Sequence, residues 1–477
     1  MQETITIRKG LDLPISGTAE KRITDARNIL TYAVKPNDFV GITPHLLVEE
    51  GDTVAVGDPL FCDKKDERIR FTSPVNGKVK AIVRGEKRKL LEVVVEANDS
   101  VDSTEAPLPT STRTADELKA AMLQCGLWTM LRQRPFGTIA KPDDKPKTIF
   151  VSGFSTSPLA PDYDFVMQGR EDGLKKGLEA LSLLTDGKVH ISFRPGQALS
   201  KQLSTLNSQL STHYVKGPHP AGNIGTQIAH IDPINKGDVV WTMNLQDVAV
   251  LGELVATGAY NPEKVIAVAG PNCKNAHYYR VKAGACLSEI TKTQLLNPDF
   301  PRVETNNTTD HYRIISGDIL SGTQITEDGF LGAYDDLVSI LPEGNHYEFL
   351  GWLMPGFRKF SFSRTFLSGF MPKSTFKPLG VTLPRFKRFW KFDTNSHGEE
   401  RPLVFTGNFE RVFPFDIYPT HLIKACIIGD IELMENLGIY EVEPEDFALC
   451  EFIDTSKTDI QQIIREALEK IRKENEG

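Results

Sequence analysis

No two of the six cysteines in this 477-residue chain lie within three positions of each other. Cys62, Cys125, Cys273, Cys286, Cys426 and Cys450 therefore form no C-x-x-C redox pair, no zinc knuckle and no ferredoxin-type iron–sulfur run. They read as free thiols of a reducing compartment. The glycine motifs that cradle phosphates, G-x-G-x-x-G and G-x-x-x-x-G-K-[ST], are missing as well. No apolar run is long enough to span a bilayer. The start, Met1 to Ile5, lacks the basic-then-apolar profile of a secretory signal, so a cytoplasmic chain is expected. His213, His219 and His230 have neither i, i+4 spacing nor a partner carboxylate motif, so no metal is expected. No Ser–His–Asp or Cys–His constellation nominates a catalytic residue. A net charge of −8 argues against general nucleic-acid binding.

What is present is an ordinary folded composition, 40% apolar and 25% charged, in a chain long enough for three or four domains. Between Val48 and Glu96 two similar halves face each other. The first is Val48-Glu49-Glu50-Gly51-Asp52-Thr53-Val54 with Val56-Gly57-Asp58-Pro59-Leu60. The second is Ser73-Pro74-Val75-Asn76-Gly77-Lys78-Val79-Lys80-Ala81-Ile82 with the strand Leu90 to Glu96. This is the pattern of a barrel-sandwich hybrid. Lys64 sits near the tip where carriers place a lipoyl lysine, but Asp63-Lys64-Lys65-Asp66 is all charged and reads as a solvated hairpin.

Further along, Asn98 to Thr114 reads as a linker. A helix is predicted at Asp116 to Gln124, a buried strand at Thr148 to Gly153 and a helix over Gly169 to Leu184 with Leu174, Leu178 and Leu181 on one face. A strand at Lys188 to Phe193, a helix at Ser200 to Leu210 with a serine N-cap, a strand at Asp238 to Met243 and a helix through Val255 follow. That alternation implies a mainly parallel sheet covered by helices. Short strands around a helix from Ser288, with His311 to Gly322, suggest a β-grasp-like unit. Helices are expected at Thr420 to Leu437, bent near Gly429, and at Thr458 to Lys473, with a Thr458–Gln461 capping box. The fold class is thus multidomain α+β. Expected boundaries are 1–100 for the N-terminal strands and barrel-sandwich hybrid, and 115–258 for a Rossmann-like α/β domain. A β-grasp-like domain over 259–340 and a basic/aromatic segment with a helical domain over 341–477 complete the chain.

Residues 351–391 hold nine Lys or Arg, ten Phe or Trp and no carboxylate, which leaves −17 on the rest of the chain. Cations interleaved with aromatics suit an anionic membrane surface or a groove on a membrane-embedded partner. A core-packed aromatic cluster between solvated cations is the competing reading. Arg358, Lys359, Phe360, Arg364, Arg388 and Trp390 are the docking candidates. A second patch, Trp128-Thr129-Met130-Leu131-Arg132-Gln133-Arg134-Pro135-Phe136-Gly137, combines guanidinium donors with rings. Trp128, Arg132, Arg134 and Phe136 suit a flat ring bearing carbonyls, such as a quinone; a domain seam with snorkelling arginines is the plainer and preferred reading. Ser152 to Pro158 and Gly217 to Thr226 are the two loops with room for a phosphate or ring, and each also reads as purely structural.

Lys9 to Gly17, Asp63 to Lys65 with Arg84 to Arg88, Leu127 to Phe136, Gly217 to Thr226, Arg313 to Gly322, Pro355 to Gly369, Gly407 to Phe415 and Leu449 to Phe452 carry a resemblance spread over nearly the whole chain. It is to the group of proteins that includes the flavin-binding NADH subunit of respiratory complex I and the C subunit of the Rnf complex. Within this group it is most similar to the A subunits of bacterial sodium-translocating NADH:quinone oxidoreductases. The resemblance implies a peripheral subunit on the cytoplasmic face of the bacterial inner membrane, seated chiefly on the membrane-embedded B subunit of a six-subunit complex. It implies no cofactor on this chain, while the complex uses NADH, flavins, iron–sulfur centres and quinone. Only Cys426 and Cys450 remain where the relatives carry cluster motifs, and a cluster needs about four ligands. The alternative expectations are a flavin-binding NADH dehydrogenase subunit, or a purely structural adaptor.

Overall fold

The computed structural model describes residues 4–26, 28–98, 114–203, 209–295, 312–345, 350–351, 353–356, 359–363, 366 and 389–476. A seven-stranded sheet forms the α/β unit. Its five parallel strands run in the order Thr4–Thr6, Leu210–Lys216, Val189–Phe193, Thr148–Ser152, Val240–Thr242. Arg132–Arg134 and Thr138–Ile139 extend it antiparallel. Ile149, Phe150, Val151, Val189 and Trp241 are fully buried, as a sheet covered on both faces requires.

The helix Glu171–Leu181 buries Leu174, Leu178 and Leu181 and packs on the helix Leu245–Thr257. Glycine permits this approach. A Cβ at Gly252 would lie 1.7 Å from the Gly173 carbonyl oxygen, and one at Gly177 would lie 1.9 Å from that of Val248.

The predicted helix Ser200 to Leu210 is corrected: the helix is Ala198–Gln202, and Leu210–Lys216 is a strand. Ser200 lies inside the helix and donates to the Gln197 carbonyl instead of capping. Thr212, Tyr214 and Val215 favour the extended form, and the open edge of Val189–Phe193 gives it hydrogen bonds.

The barrel region is built from a four-stranded sheet (Thr31–Val34, Leu90–Ala97, Gly77–Arg84, Thr53–Val54) and a three-stranded one (Pro44–Leu46, Pro59–Asp63, Arg70–Thr72). Phe61 and Phe71 stack at 4.5 Å in its core. Lys64 and Lys65 are exposed at a turn tied by the Asp63 carboxylate, which accepts from the Thr43 and Lys65 amides.

A six-stranded sheet runs Thr323–Ile325, Tyr312–Ser316, Leu337–Pro342, Glu263–Ala269, His277–Lys282, Glu20–Asp25, with the helix Ser288–Gln294 beside it. The first strands are therefore shared out. Thr4–Thr6 joins the α/β sheet, Glu20–Asp25 the β-grasp-like sheet and Thr31–Val34 the barrel.

The C-terminal helices Pro419–Ile428, Ile431–Asn436, Ala448–Ile453 and Ile460–Glu476 enclose a separate core of Leu422, Ile423, Met434, Phe447, Cys450, Ile464 and Leu468. Gly429, at φ +72°, ends the first of them in the left-handed cap that glycine favours. The Thr458–Gln461 capping box does not form. The Gln461 amide donates to the Glu451 carboxylate at 2.8 Å, and the Thr458 hydroxyl has no partner. A charged acceptor from the preceding helix wins over a hydroxyl.

Candidate functional site

Chain order reverses between Thr148–Ser152 and Val240–Thr242, the topological switch point of the parallel sheet. Open α/β sheets take ligands in the crevice outside the carboxyl ends of such strands. A cleft of about 390 Å³ lies there. One wall is the Ser152 to Ser157 turn with Gly222 to Ile224 and Asn244 to Leu245. The opposite wall comes from the β-grasp-like unit, Gly317, Asp318, Tyr334, Asp335 and Asp336. Glu443, Glu445, Gln461 and Arg465 of the helical unit close one side.

The sheet-side wall has no vacant cradle. A Cβ at Gly222 would lie 2.5 Å from the Thr156 amide nitrogen, and one at Gly225 would lie 2.5 Å from the Asp446 carboxylate. These glycines admit the protein's own chain. The Ser152 hydroxyl is tied to the Phe154 and Gly222 carbonyls, and the Gln227 side-chain amide donates to it. His219 faces Thr156 at 3.2 Å, and burial pushes its pKa down to about 4, so it is neutral.

Charge in the cleft is one-sided. Asp318, Asp335, Asp336, Glu443 and Glu445 face only Arg132 and Arg465 among its lining residues. Burial raises the pKa of Asp318 and Asp335, against hydrogen bonds from the Leu320 amide and the Ser316 hydroxyl. Asp336 is pushed up to about 6, mainly by burial; the hydrogen bond from the Tyr163 hydroxyl opposes the shift. Between about pH 4 and 6 the folded chain thus holds a proton that the unfolded chain has released. Stability from this group is complete below the unfolded value of 3.8 and lost as pH rises through about 6. Relative to Asp336→Asn, the wild-type chain is expected to lose on the order of 2 kcal/mol of unfolding free energy from about pH 4 to 7, measured by denaturant titration at each pH. A pH-independent difference between the two proteins would show an ordinary Asp336.

The four quinone-facing candidates are placed differently from one another. Arg132 lines the cleft, its guanidinium 4.9 Å from the Tyr334 ring centroid. Trp128 is fully buried, its indole N–H donates to the Ala140 carbonyl at 2.8 Å, and its ring meets Trp241 edge-on. Arg134 is 2% exposed and enclosed by Glu443 at 3.2 Å, Glu445 at 2.7 Å and Asp446 at 3.1 Å. Burial and its carboxylate neighbours raise the pKa of Asp446, with Arg134 pulling the other way. Phe136, at φ +84°, packs on Tyr440, and its carbonyl accepts from Arg465. Trp128, Arg134 and Phe136 do not line the cleft.

Among the docking candidates, Arg358, Arg364 and Arg388 lie outside the described residues. Phe360 is half-buried in a ring cluster with Trp390, Phe392 and Phe452. The Trp390 amide donates to the Pro14 carbonyl, and Lys359 lies over the Phe366 ring at 5.2 Å. Phe389 (56%), Leu353 (65%) and Met354 (60%) are exposed nearby in sequence. Sequence reading missed Tyr163, Asp318, Tyr334, Asp335, Asp336 and Glu443. The Tyr334-Asp335-Asp336 run before a buried strand was a readable signal. The contact of Asp336 with Tyr163, 173 positions away, was not. Among the described residues no group of three or more His, Cys, Asp or Glu is placed to hold a metal ion, and the six cysteines are free.

The chain is thus a multidomain α+β protein: a barrel-sandwich hybrid, an α/β unit, a β-grasp-like sheet and a helical unit, the last three gathered around one crevice. Family models agree on the first three parts. That of the NqrA N-terminal barrel-sandwich hybrid domain matches residues 5–98. The NqrA second alpha/beta domain matches 113–260, and the NQRA C-terminal domain matches 265–327. The A subunit of the Na(+)-translocating NADH-quinone reductase of Yersinia pseudotuberculosis is 37% identical over 98% of this chain and all of the relative. That of Neisseria meningitidis serogroup B is 38% identical over 98% of this chain and all of the relative. That of Rhodopirellula baltica is 36% identical over 99% of each. The chain belongs to the NqrA family, the A subunits of the Na(+)-translocating NADH-quinone reductases, and so to a multisubunit oxidoreductase complex. Among the described residues no helix is long and apolar enough to cross a membrane.

Proposed function

We propose that this chain is a cofactor-free peripheral subunit on the cytoplasmic face of the membrane, seated on the membrane-embedded B subunit, and that its switch-point crevice supports quinone binding. The crevice chemistry carries the reading. Five carboxylates and a sheet-side wall closed by the protein's own glycine contacts do not fit the phosphates of a flavin nucleotide or NADH. Arg132 stacked on Tyr334 offers what a neutral carbonyl-bearing ring uses: guanidinium donors beside an aromatic face. Trp128, Arg134 and Phe136 then act by holding the strand Arg132–Arg134 in place, through the contacts given above. The aromatic cluster of Phe360 and Trp390, with Lys359 and the exposed Leu353, Met354 and Phe389, is the proposed contact with the B subunit.

Photo-crosslinking of the assembled complex with an azido-quinone, read by peptide mapping, tests this. Label is expected on the peptides holding Arg132 or Tyr334, and Arg132→Ala is expected to raise the KM for quinone about tenfold, the loss of one interaction of about 1.4 kcal/mol. Label confined to other subunits, with an unchanged KM, would leave this chain a structural adaptor. A visible flavin spectrum in the purified chain would overturn the cofactor-free reading.

A further inference from the structure

The hairpin joining Gly77–Arg84 to Leu90–Ala97 breaks a sequence rule. The Lys89 amide bonds the Glu86 carbonyl at 3.1 Å, and both central residues have positive φ, Lys87 at +54° and Arg88 at +60°. Such a two-residue turn selects Asn-Gly, Asp-Gly or Gly-Gly, because side chains at both positions crowd the backbone. Here it holds the two long cationic side chains, and nothing buried requires them: Arg84, Glu86, Lys87, Arg88 and Lys89 are all exposed. Four cations stand against one carboxylate, and no ion pair joins any of them to a described residue. The tip is also braced. The Gly85 amide donates to the Lys89 carbonyl at 2.9 Å, and the Arg84 guanidinium donates to that of Arg88 at 3.2 Å.

We infer that this hairpin tip is a docking element for an acidic surface of another protein of the same complex, with Lys87, Arg88 and Lys89 as its contacts. The inference rests on the family membership and not on the crevice reading. Local strain without local need points to use of the side chains elsewhere. A turn whose backbone is held by these bonds presents three cations from one short tip, which suits contacts with carboxylates and spares the cost of ordering the loop on binding. A lipid surface is the poorer match. The tip presents no aromatic ring and Val83 is its one exposed apolar side chain, so it has little to insert below a layer of headgroups. The absence of rings likewise gives nucleic acid bases nothing to stack on.

The test replaces Lys87 with Asn and Arg88 with Gly in the full-length chain. Rebinding to complex stripped of this chain is measured at two salt concentrations, alongside thermal unfolding and co-sedimentation with phosphatidylcholine–phosphatidylglycerol vesicles. The expected result is a thermal midpoint equal to or above wild type, with affinity at least tenfold weaker and less dependent on salt. Lys87→Glu with Arg88→Glu should weaken it further. Wild-type affinity in the Asn-Gly chain overturns the inference. A lowered midpoint does so too, because the fold itself would then be using the two cations. Vesicle binding by the wild-type chain that the variant loses would assign the tip to lipid instead.

Discussion

Replacing Arg134 with methionine is expected to cost about 3–5 kcal/mol of stability, the range for removing one partner from a buried ion pair. The guanidinium answers three carboxylates at once: Glu443 and Asp446, both buried, and the half-buried Glu445. Methionine preserves much of the volume and removes the charge, so the loss reports electrostatics more than packing. The deficit should shrink as pH falls, since the uncompensated carboxylates then bind protons. Adding Glu445→Gln and Asp446→Asn should return part of the stability at neutral pH. Denaturant titrations of the three proteins at two pH values decide it. A change below about 1 kcal/mol would mean that the carboxylates are already neutral without their cation. Arg134 extends from the α/β sheet and its partners from the helical unit, so the variant should also loosen that seam, read as faster proteolysis C-terminal to Phe415.

Gly252→Ala is expected to destabilise by more than about 2 kcal/mol, although alanine is the better helix former by about 1 kcal/mol. The added Cβ would meet the Gly173 carbonyl oxygen at 1.7 Å and the Gly177 amide nitrogen at 2.6 Å. Both are backbone atoms, so no side chain can swing aside and the two helices must separate. Separation strips contacts from Leu174, Leu178, Val248 and Leu251, all fully buried. Ala256→Gly, at an exposed position of the same helix, gives the propensity scale alone, about 1 kcal/mol in the opposite sense of substitution. Thermal unfolding of both variants separates the effects. Equal midpoints for Gly252→Ala and wild type would contradict the close packing.

Much of this fold was legible because its signals are local. Thr148 to Gly153 and Lys188 to Phe193 are short apolar runs between turn residues. The three leucines of the helix Glu171–Leu181 repeat at helical spacing, and Gly429 interrupts a helix where its free φ is used. The strand Leu210–Lys216 was hidden because its hydrogen-bond partner, not its composition, decides its state. The cap of the last helix is hidden for the same reason, its acceptor being Glu451, ten positions before Gln461. At the crevice, sequence singled out Arg132 but not what faces it. Its acidic wall is assembled from Asp318 to Asp336 and from Glu443 to Glu445, and no spacing rule spans that distance. Trp128 looked available because tryptophan beside arginine suits a ring site. Only the structure shows its indole committed to Ala140 and Trp241.

The distribution of the first strands sets a constraint on biosynthesis. Thr4 meets its pairing partner only at Tyr214, and Thr24 only at Tyr279, so two early segments leave the ribosome with their backbone groups unmatched until a large part of the polypeptide has followed. The chain cannot mature one unit at a time from its beginning. Its opening residues are stitches that close late, and a nascent chain paused before Tyr279 presents unsatisfied edges to whatever protects it from aggregation.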